Sequence, residues 1–576
     1  MQVSQRVRLD IRREWPVVLL LVPYLWLVNR LWFLCDDAYI TFRYAKNLAR
    51  GYGVTFNTDA PPVEGYSNFL WMVICAVLEA DLWPVEVAMP ALSALIGGLF
   101  LLFFWWTLRV RVGLDRVPAI VGTAVLATCP AFGLWATSGL ATMPFAALVF
   151  VFWERATFAR GRHSWLVIGL VGILLTLVRT EGVAWVGVIA VLAVAARWVD
   201  ERAPSVRRTV APVVGGLLLV GLLFAVYSSW RVAHFGDWLP NTAHAKVGMS
   251  ADRLLRGAKY VGLFGLTFPA MALWLLGVGR VLRWRVGAGI AVSLLAIAFP
   301  LYGVVVGGDF FPMGRMILPS LAFGSLLFAA LVQGLWERGA GLRALAGGLS
   351  LGALLLGILP AFDTHVVPVS VREPLHFRLS DKSFMSEFQR WENLRDNLAG
   401  FARRGHALAR IAHHDDRVVS QAIGVIGYYS ELHIYDQYGL VDREVALLPV
   451  PPGPLMHSPG HDKFVDASFF AKYEPEILAS RTVQGPMASR LMKDSMDKWS
   501  IPESLHDTYV PDFVEVALPG YEDIRSFLLM VRKVREGERP RQLWAQFPDR
   551  RKDLLASFGD EAVAAGEASD EADDDS

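Results

Sequence analysis

Asp36-Asp37-Ala38-Tyr39-Ile40 stands directly against the end of an apolar run over residues 16–35. That run is long enough to cross a bilayer, and Arg6, Arg8, Arg12 and Arg13 precede it. Arginines ahead of a first span hold the N-terminus in the cytoplasm, so both carboxylates are expected to emerge at the outer membrane surface. A low-dielectric boundary opposes each charge, and each acid opposes the ionisation of the other. One acid would be enough to stop a helix. A pair at that cost points to a catalytic base beside the membrane.

The rest of the chain fits a membrane setting. Of 576 residues 54% are hydrophobic and only 19% charged, and the apolar residues come in blocks, which a soluble multidomain enzyme would not show. The net charge of +1 offers no argument for nucleic-acid binding. Cys35, Cys75 and Cys129 lie in or beside apolar segments and suggest neither a disulfide framework nor a zinc site. The first apolar run is bulky and has no small-residue cleavage pattern, so it reads as an uncleaved helix.

Further apolar blocks predict spans near residues 91–108, 117–134, 142–157, 164–178, 183–198, 210–229, 260–279, 287–306, 316–334 and 344–361. Arginines cluster at every second connection: Arg109, Arg111 and Arg116; Arg155, Arg160 and Arg162; Arg202, Arg207 and Arg208; Arg280, Arg283 and Arg285; Arg338 and Arg343. All fall on the cytoplasmic side if the chain makes about 11 crossings, which turns the loops at 137–144, 179–181, 230–259 and 307–315 outward. The segment 68–78 is apolar but too short to span, and reads as half-inserted.

From residue 362 the apolar blocks give way to mixed sequence rich in Asp, Glu, His, Pro and Arg. The chain is therefore expected to be a polytopic α-helical membrane protein with a membrane catalytic domain over 1–361, whose first outer loop is 36–67. An extracytoplasmic α/β domain, expected to bind the glycan acceptor because it sits over the same face as the first loop, is expected over 362–556, and an acidic disordered tail over 557–576. Residues 418–430 and 433–436 read as short strands around a Gly-containing turn, and 386–402 and 466–473 as helices. In the first loop Ile40, Tyr44 and Leu48 recur at helical spacing with Arg43, Lys46 and Arg50 on another side, the pattern of a helix lying in the membrane interface.

The same loop carries a resemblance. Asp36-Asp37-Ala38-Tyr39-Ile40-Thr41-Phe42-Arg43-Tyr44-Ala45, then Gly51-Tyr52-Gly53-Val54-Thr55-Phe56-Asn57 and Val63-Glu64-Gly65-Tyr66-Ser67-Asn68-Phe69-Leu70-Trp71, resembles membrane glycosyltransferases of the GT-C fold. More narrowly, it resembles the set related to the terminal arabinofuranosyltransferases of mycobacterial cell walls. Arg179-Thr180-Glu181-Gly182, Gly236-Asp237-Trp238-Leu239-Pro240-Asn241-Thr242, Gly307-Gly308-Asp309-Phe310-Phe311-Pro312, Ile426-Gly427-Tyr428-Tyr429-Ser430 and Asp436-Gln437-Tyr438-Gly439-Leu440-Val441-Asp442 extend the likeness into the C-terminal part. One turn departs from it: Ser138-Gly139-Leu140-Ala141-Thr142 holds Ala141 where an acid is expected.

The resemblance implies transfer of a sugar from a polyprenyl-phosphate donor to a hydroxyl of a cell-envelope glycan, on the outer face of the cytoplasmic membrane, with the lipid bilayer as the third partner. The residue types suit that chemistry on their own terms. A hydroxyl is a poor nucleophile until a carboxylate takes its proton, and Asp36 is the expected base, with Asp37 orienting it or binding the sugar. A leaving lipid phosphate needs cations, for which Arg43, Arg179, Lys246 and Arg315 are the outward candidates, and His244 lies beside Lys246.

Other readings weigh against some of these. Arg179 and Glu181 read equally well as a mutually neutralising turn, and Lys246 as a snorkelling anchor. Asp309 and Arg315 form either a structural pair or a substrate contact, with Gly307-Gly308 tipping towards the second. His461 and Tyr428 are the acceptor-side candidates, with Met456-His457 beside them. His413-His414-Asp415-Asp416 reads as a solvated turn, since adjacent histidines seldom reach one ion; no cofactor is certain, and a divalent metal stays open. A transporter or flippase for a lipid-linked sugar would place its charges near mid-membrane, often on broken helices, and these acids gather at helix ends. An oligosaccharide ligase or polymerase is not separable at this level. If the arginine pattern is right, a reporter fused after Asp363 will be active only outside the cytoplasm and one fused near Arg207 only inside; a cytoplasmic signal from the first would overturn the topology.

Overall fold

A computed structural model of the chain describes residues 14–80, 83–201, 204–246, 248–378, 383–450, 455, 458–484, 499 and 501–556. Arg6, Arg8, Arg12, Arg13, Arg202, Met456, His457 and the acidic segment 557–576 lie outside the described residues. This is a multi-pass membrane protein. Among the described residues, six helices are long and apolar enough to cross a bilayer by length and composition: Val85–Val112, Gly182–Asp200, Val206–Phe235, Val286–Val305, Arg315–Trp336 and Ala340–Phe362. Their outward faces carry Leu99, Val191, Leu218, Leu222, Leu301 and Leu355, all exposed, a surface that hydrocarbon tolerates and water does not. Arg315–Trp336 is buried almost all round, between Trp274–Trp284, Val286–Val305, Arg116–Ala127 and Thr142–Phe158.

Several expected spans take other forms. The segment 260–279 is no straight span: Ala251–Thr267 ends at Phe268, Pro269 starts the next turn, and the two pieces bend by 92°. Proline has no N–H to donate and disfavours helical backbone in the residue before it, so the break falls where the sequence places the ring. Pro130 divides 117–134 in the same way, into Arg116–Ala127 and Pro130–Leu134. The first helix ends at Arg30, short of Cys35. The segment 68–78 is the short apolar helix Phe69–Glu79.

The first-loop helix, Asp36–Ala49, does not lie on a membrane surface as its periodicity suggested. Nine of its 14 residues are buried, because Phe69–Glu79 covers one side and the C-terminal helix Gly424–Ser430 the other. Nor is 423–430 a strand. After β1 (Arg417–Ser420) the chain makes the helix Gly424–Ser430 before β2 (His433–Asp436). The reason lies 388 residues away: the Asp36 carboxylate accepts hydrogen bonds from Gly424 N (3.1 Å) and Val425 N (2.8 Å), satisfying the open donors of the helix N-terminus. A β-carbon on Gly424 would sit 1.9 Å from the Asp36 carbonyl oxygen, so only glycine fits there.

The two helices run side by side with their N-termini together. At the far end Arg43 donates to the carbonyls of Gly427, of Leu432 (2.8 Å) and of Phe56 (2.7 Å), and Lys46 to that of Tyr428 (3.2 Å). A carboxylate thus meets the positive end of the short helix and cations its negative end.

The strands complete the C-terminal part as one sheet ordered β2-β1-β3-β5-β4, with β3 (Ile477–Gln484), β4 (Tyr509–Glu515) and β5 (Ser526–Lys533). β1 runs parallel to β2 and β3, while β5 is antiparallel to β3 and β4. Glu387–Ile411 packs against β3 and is opened by a capping box, Ser386 with Gln389; it continues past the expected end at 402. The expected helix at 466–473 is the 3-10 segment Ala467–Tyr473, with no cap bond from Asp466. Since Arg43 is buried and serves three carbonyls, Arg43→Gln should destabilise the protein by about 2–4 kcal/mol, read as a lower melting temperature in detergent. An unchanged melt would show that this joint does not hold the two parts together.

Candidate active site

A cavity of about 360 Å³ opens between the membrane helices and the helix Glu387–Ile411 and loops of the C-terminal part, floored by the start of the first-loop helix. Asp36, Asp37, Arg179, Lys246, Asp309, Arg315 and His461 all line it, although they come from five separate stretches of chain. Asp36 and Asp37 occupy the first turn of Asp36–Ala49, with the cavity before them. The pair is divided by its partners. Asp36 is turned to the amides of Gly424 and Val425, on the C-terminal wall, whereas Asp37 Oδ2 lies 4.0 Å from Arg315 Nη1, on the wall of the membrane helices.

Asp309 and Arg315 meet through a two-pronged bond, Nε to Oδ2 at 2.7 Å and Nη2 to Oδ1 at 2.8 Å. Gly307 and Gly308 position Asp309 by adopting φ of 83° and 81°, and a β-carbon on Gly308 would come within 2.9 Å of Tyr260 Cβ. Arg315 also lies over the Phe311 ring, 4.5 Å from its centroid. Glu181 stands behind Arg179, bonded to it at 2.6 Å, so the turn is an ion pair and a cavity wall at once. Lys246 projects into the cavity from the loop after Asn241–His244 and makes no ion pair among the described residues.

The electrostatics follow from this enclosure. Burial pushes the Asp36 carboxyl up to about 6, against the lowering effect of the two amides. Burial also raises Asp37, and the Arg315 guanidinium pulls it back. Lys246 is lowered by burial, with Glu181 opposing. A base with an apparent pKa near 6 is largely ionised at neutral pH and still able to take a proton.

Three residues singled out from sequence are placed elsewhere. Arg43 is occupied by the carbonyls described above and does not face the cavity. His244 Nε2 pairs with Asp237 Oδ2 at 3.2 Å. Tyr428 donates its hydroxyl to Glu79 (3.1 Å) and packs edge-on against Tyr39. Leu140 and Ala141 do line the cavity, so the turn without its acid is part of the wall.

The sequence reading also passed over residues that help to form the cavity. Arg253 and Arg256 reach it from Ala251–Thr267, and Asp462, which the sequence offers with His461 on the acceptor side, clamps Arg256 through bonds of 2.7 and 2.9 Å. Asn397, Phe401 and Gln421 close the opposite side. Nothing local marks these residues, because each becomes a wall only when the two parts of the chain meet. Among the described residues the one cluster with three metal-type ligand atoms close together is His413, His414 and Asp415, exposed on the turn before β1 and away from the cavity.

Compared with solved structures, the chain has the GT-C fold of membrane glycosyltransferases. ArnT from Cupriavidus metallidurans bound to undecaprenyl phosphate is similar over 91% of this chain and 98% of its own, with 12% identity and a TM-score of 0.51. The same protein in the apo state matches 90% and 98% of the two chains at 15% identity, TM-score 0.48. The archaeal oligosaccharyltransferase AglB from Archaeoglobus fulgidus, in complex with an inhibitory peptide and a dolichol-phosphate, matches 88% and 73% at 11% identity, TM-score 0.47. Residues 388–537 match a protein-family profile described as a domain of unknown function, DUF8728. No curated protein sequence matches the chain.

Proposed function

We propose that this protein is a glycosyltransferase that moves a sugar from a polyprenyl-phosphate donor to a hydroxyl of a cell-envelope glycan. On this reading it works at the outer face of the cytoplasmic membrane, with the N-terminus inside, about 11 crossings as the arginine pattern implies, and the C-terminal domain outside. Arabinofuranose is the sugar that the sequence resemblance favours. The observation that carries the reading is the division of the acid pair within one cavity. Asp36 stands towards the C-terminal wall and Asp37 towards a wall holding Arg179, Lys246 and Arg315, in a chain with the GT-C fold.

The steps follow from that division. The donor phosphate sits against Lys246 and the guanidinium groups, and the acceptor hydroxyl against Asp36. The acceptor oxygen attacks the anomeric carbon as its proton passes to Asp36. The bond from that carbon to the phosphate oxygen breaks, and the phosphate leaves with the electron pair. The cations stabilise the charge that develops there. Asp309 holds Arg315 in position, and Asp37, 4.0 Å from that guanidinium, binds the sugar on the donor side.

Asp309 gives both oxygens to Arg315, and Asp36 gives both to backbone amides. That leaves Asp37, 4.0 Å from Arg315, as the cavity carboxylate that could take a divalent ion, and the transfer steps do not depend on one. The low pairing of Lys246 favours lipid-phosphate chemistry over passage of a sugar across the membrane, since a transport path would need its polar groups near mid-membrane.

Asp36→Asn cannot take the proton and has one oxygen, not two, for the Gly424 and Val425 amides, so transfer should fall by roughly 10²–10⁴-fold while polyprenyl phosphate still binds, with the melting temperature in detergent read beside it to separate loss of the base from loosening of the joint. Asp37→Asn should be milder. In the wild type, the rate should fall as pH drops through about 6, as the raised Asp36 carboxyl becomes protonated, and level off above. Near-normal transfer by Asp36→Asn would mean the base lies elsewhere.

A further inference from the structure

The cavity has two chemically different walls. The membrane-helix wall holds Arg179, Lys246, Arg253 and Arg315. The opposite wall belongs to the stretch that matches the domain of unknown function, and it is neutral apart from His461 and Asp462. Asp462 has both oxygens engaged by Arg256, so it offers no free charge to a ligand.

On Glu387–Ile411 the lining residues are Leu394, Asn397, Leu398 and Phe401, the i, i+3, i+4, i+7 set of one helix face. Gln421, at the end of β1, completes the patch. Its amide makes no hydrogen bond among the described residues, and its side chain is exposed to the cavity. Asn397 is exposed too, and donates only to Asn393 on its own helix (2.8 Å).

A side-chain amide offers a donor and an acceptor together, which is what neighbouring sugar hydroxyls present in return. Leu394, Leu398 and Phe401 supply the apolar surface on which the C–H face of a sugar ring can lie. An acidic group here would find the His461 imidazole but no Lys or Arg on its own wall, and burying it without a permanent cation would be costly.

We infer that the 388–537 unit is the acceptor-selecting half of a composite site, and that its Asn397–Gln421 patch takes the uncharged polyhydroxyl end of a glycan. The inference rests on the glycosyltransferase reading and adds the acceptor's charge class and the residues that read it. It also accounts for the direction of Asp36: the amides of Gly424 and Val425 that hold it lie three and four residues after Gln421, so the base faces the side from which this acceptor comes.

The test uses the full chain in lipid nanodiscs, with saturation-transfer NMR of maltotriose, mannotriose and arabinotriose, trigalacturonic acid as the charged counterpart, and polyprenyl phosphate measured separately. Neutral trisaccharides should bind and trigalacturonic acid should not. Asn397→Ala and Gln421→Ala, both on exposed positions, should each weaken neutral binding about five- to tenfold with polyprenyl-phosphate affinity unchanged. Gln421→Lys should let trigalacturonic acid bind. If polyprenyl phosphate binds but no neutral trisaccharide does, or if the alanine variants weaken the lipid instead, the inference fails and the functional reading stands. Failure of the wild type to bind polyprenyl phosphate would overturn that reading itself.

Discussion

The contact on which the rest depends is the Asp36 carboxylate at the N-terminus of Gly424–Ser430, matched at the other end by Arg43 on the carbonyls of Gly427 and Leu432. It joins the first loop to a segment nearly 400 residues later, beside an aromatic seam in which Tyr39 and Phe42 meet Tyr428. A helix of seven residues is too short to be stable alone, and here its open amides and carbonyls are satisfied by side chains of another helix. Without this joint the cavity would lose a wall, because Gln421, Ala422 and the residues of Glu387–Ile411 are held over the site by the same packing.

Other joints of the same kind surround it. Asn241 donates to the carbonyls of Gly439 (2.7 Å) and Leu440 (3.1 Å), and Glu64 is clamped by Arg231 at 2.5 Å in a buried pair. Buried pairs of this sort are costly to desolvate and contribute little net stability, yet breaking one leaves a charge without a partner. What they confer here is a fixed arrangement. Around the cavity, charges are matched to one another, Arg315 with Asp309, Arg179 with Glu181 and Arg256 with Asp462, and Lys246 stands apart as a cation that an arriving anion can meet.

Much of this was legible in the chain. Two acids against an apolar run can be read from adjacency alone, and Gly307-Gly308-Asp309 announces a turn that brings a carboxylate close to backbone. Legibility ended where partners are remote. Arg43 looks like a surface cation because the three carbonyls it serves are invisible in sequence, and residues 423–430 look like strand because the carboxylate that caps them as a helix belongs to Asp36. Pro269 could have been read as a break in 260–279, but the apolar run on either side outweighed it. Asn397 and Gln421 carried no signal, since an amide on a soluble-looking helix is ordinary until its face is known to close a cavity.

The central claim is that one cavity holds a lipid phosphate on its cationic wall, with Asp36 opposite. An experimental structure of the full chain with polyprenyl phosphate bound tests it most directly. The account predicts phosphate density within hydrogen-bond distance of Lys246 and Arg315, on the side of Asp37, with Asp36 still held by Gly424 and Val425. Phosphate bound at the Arg109–Arg116 or Arg280–Arg285 loops, with this cavity left empty, would contradict it.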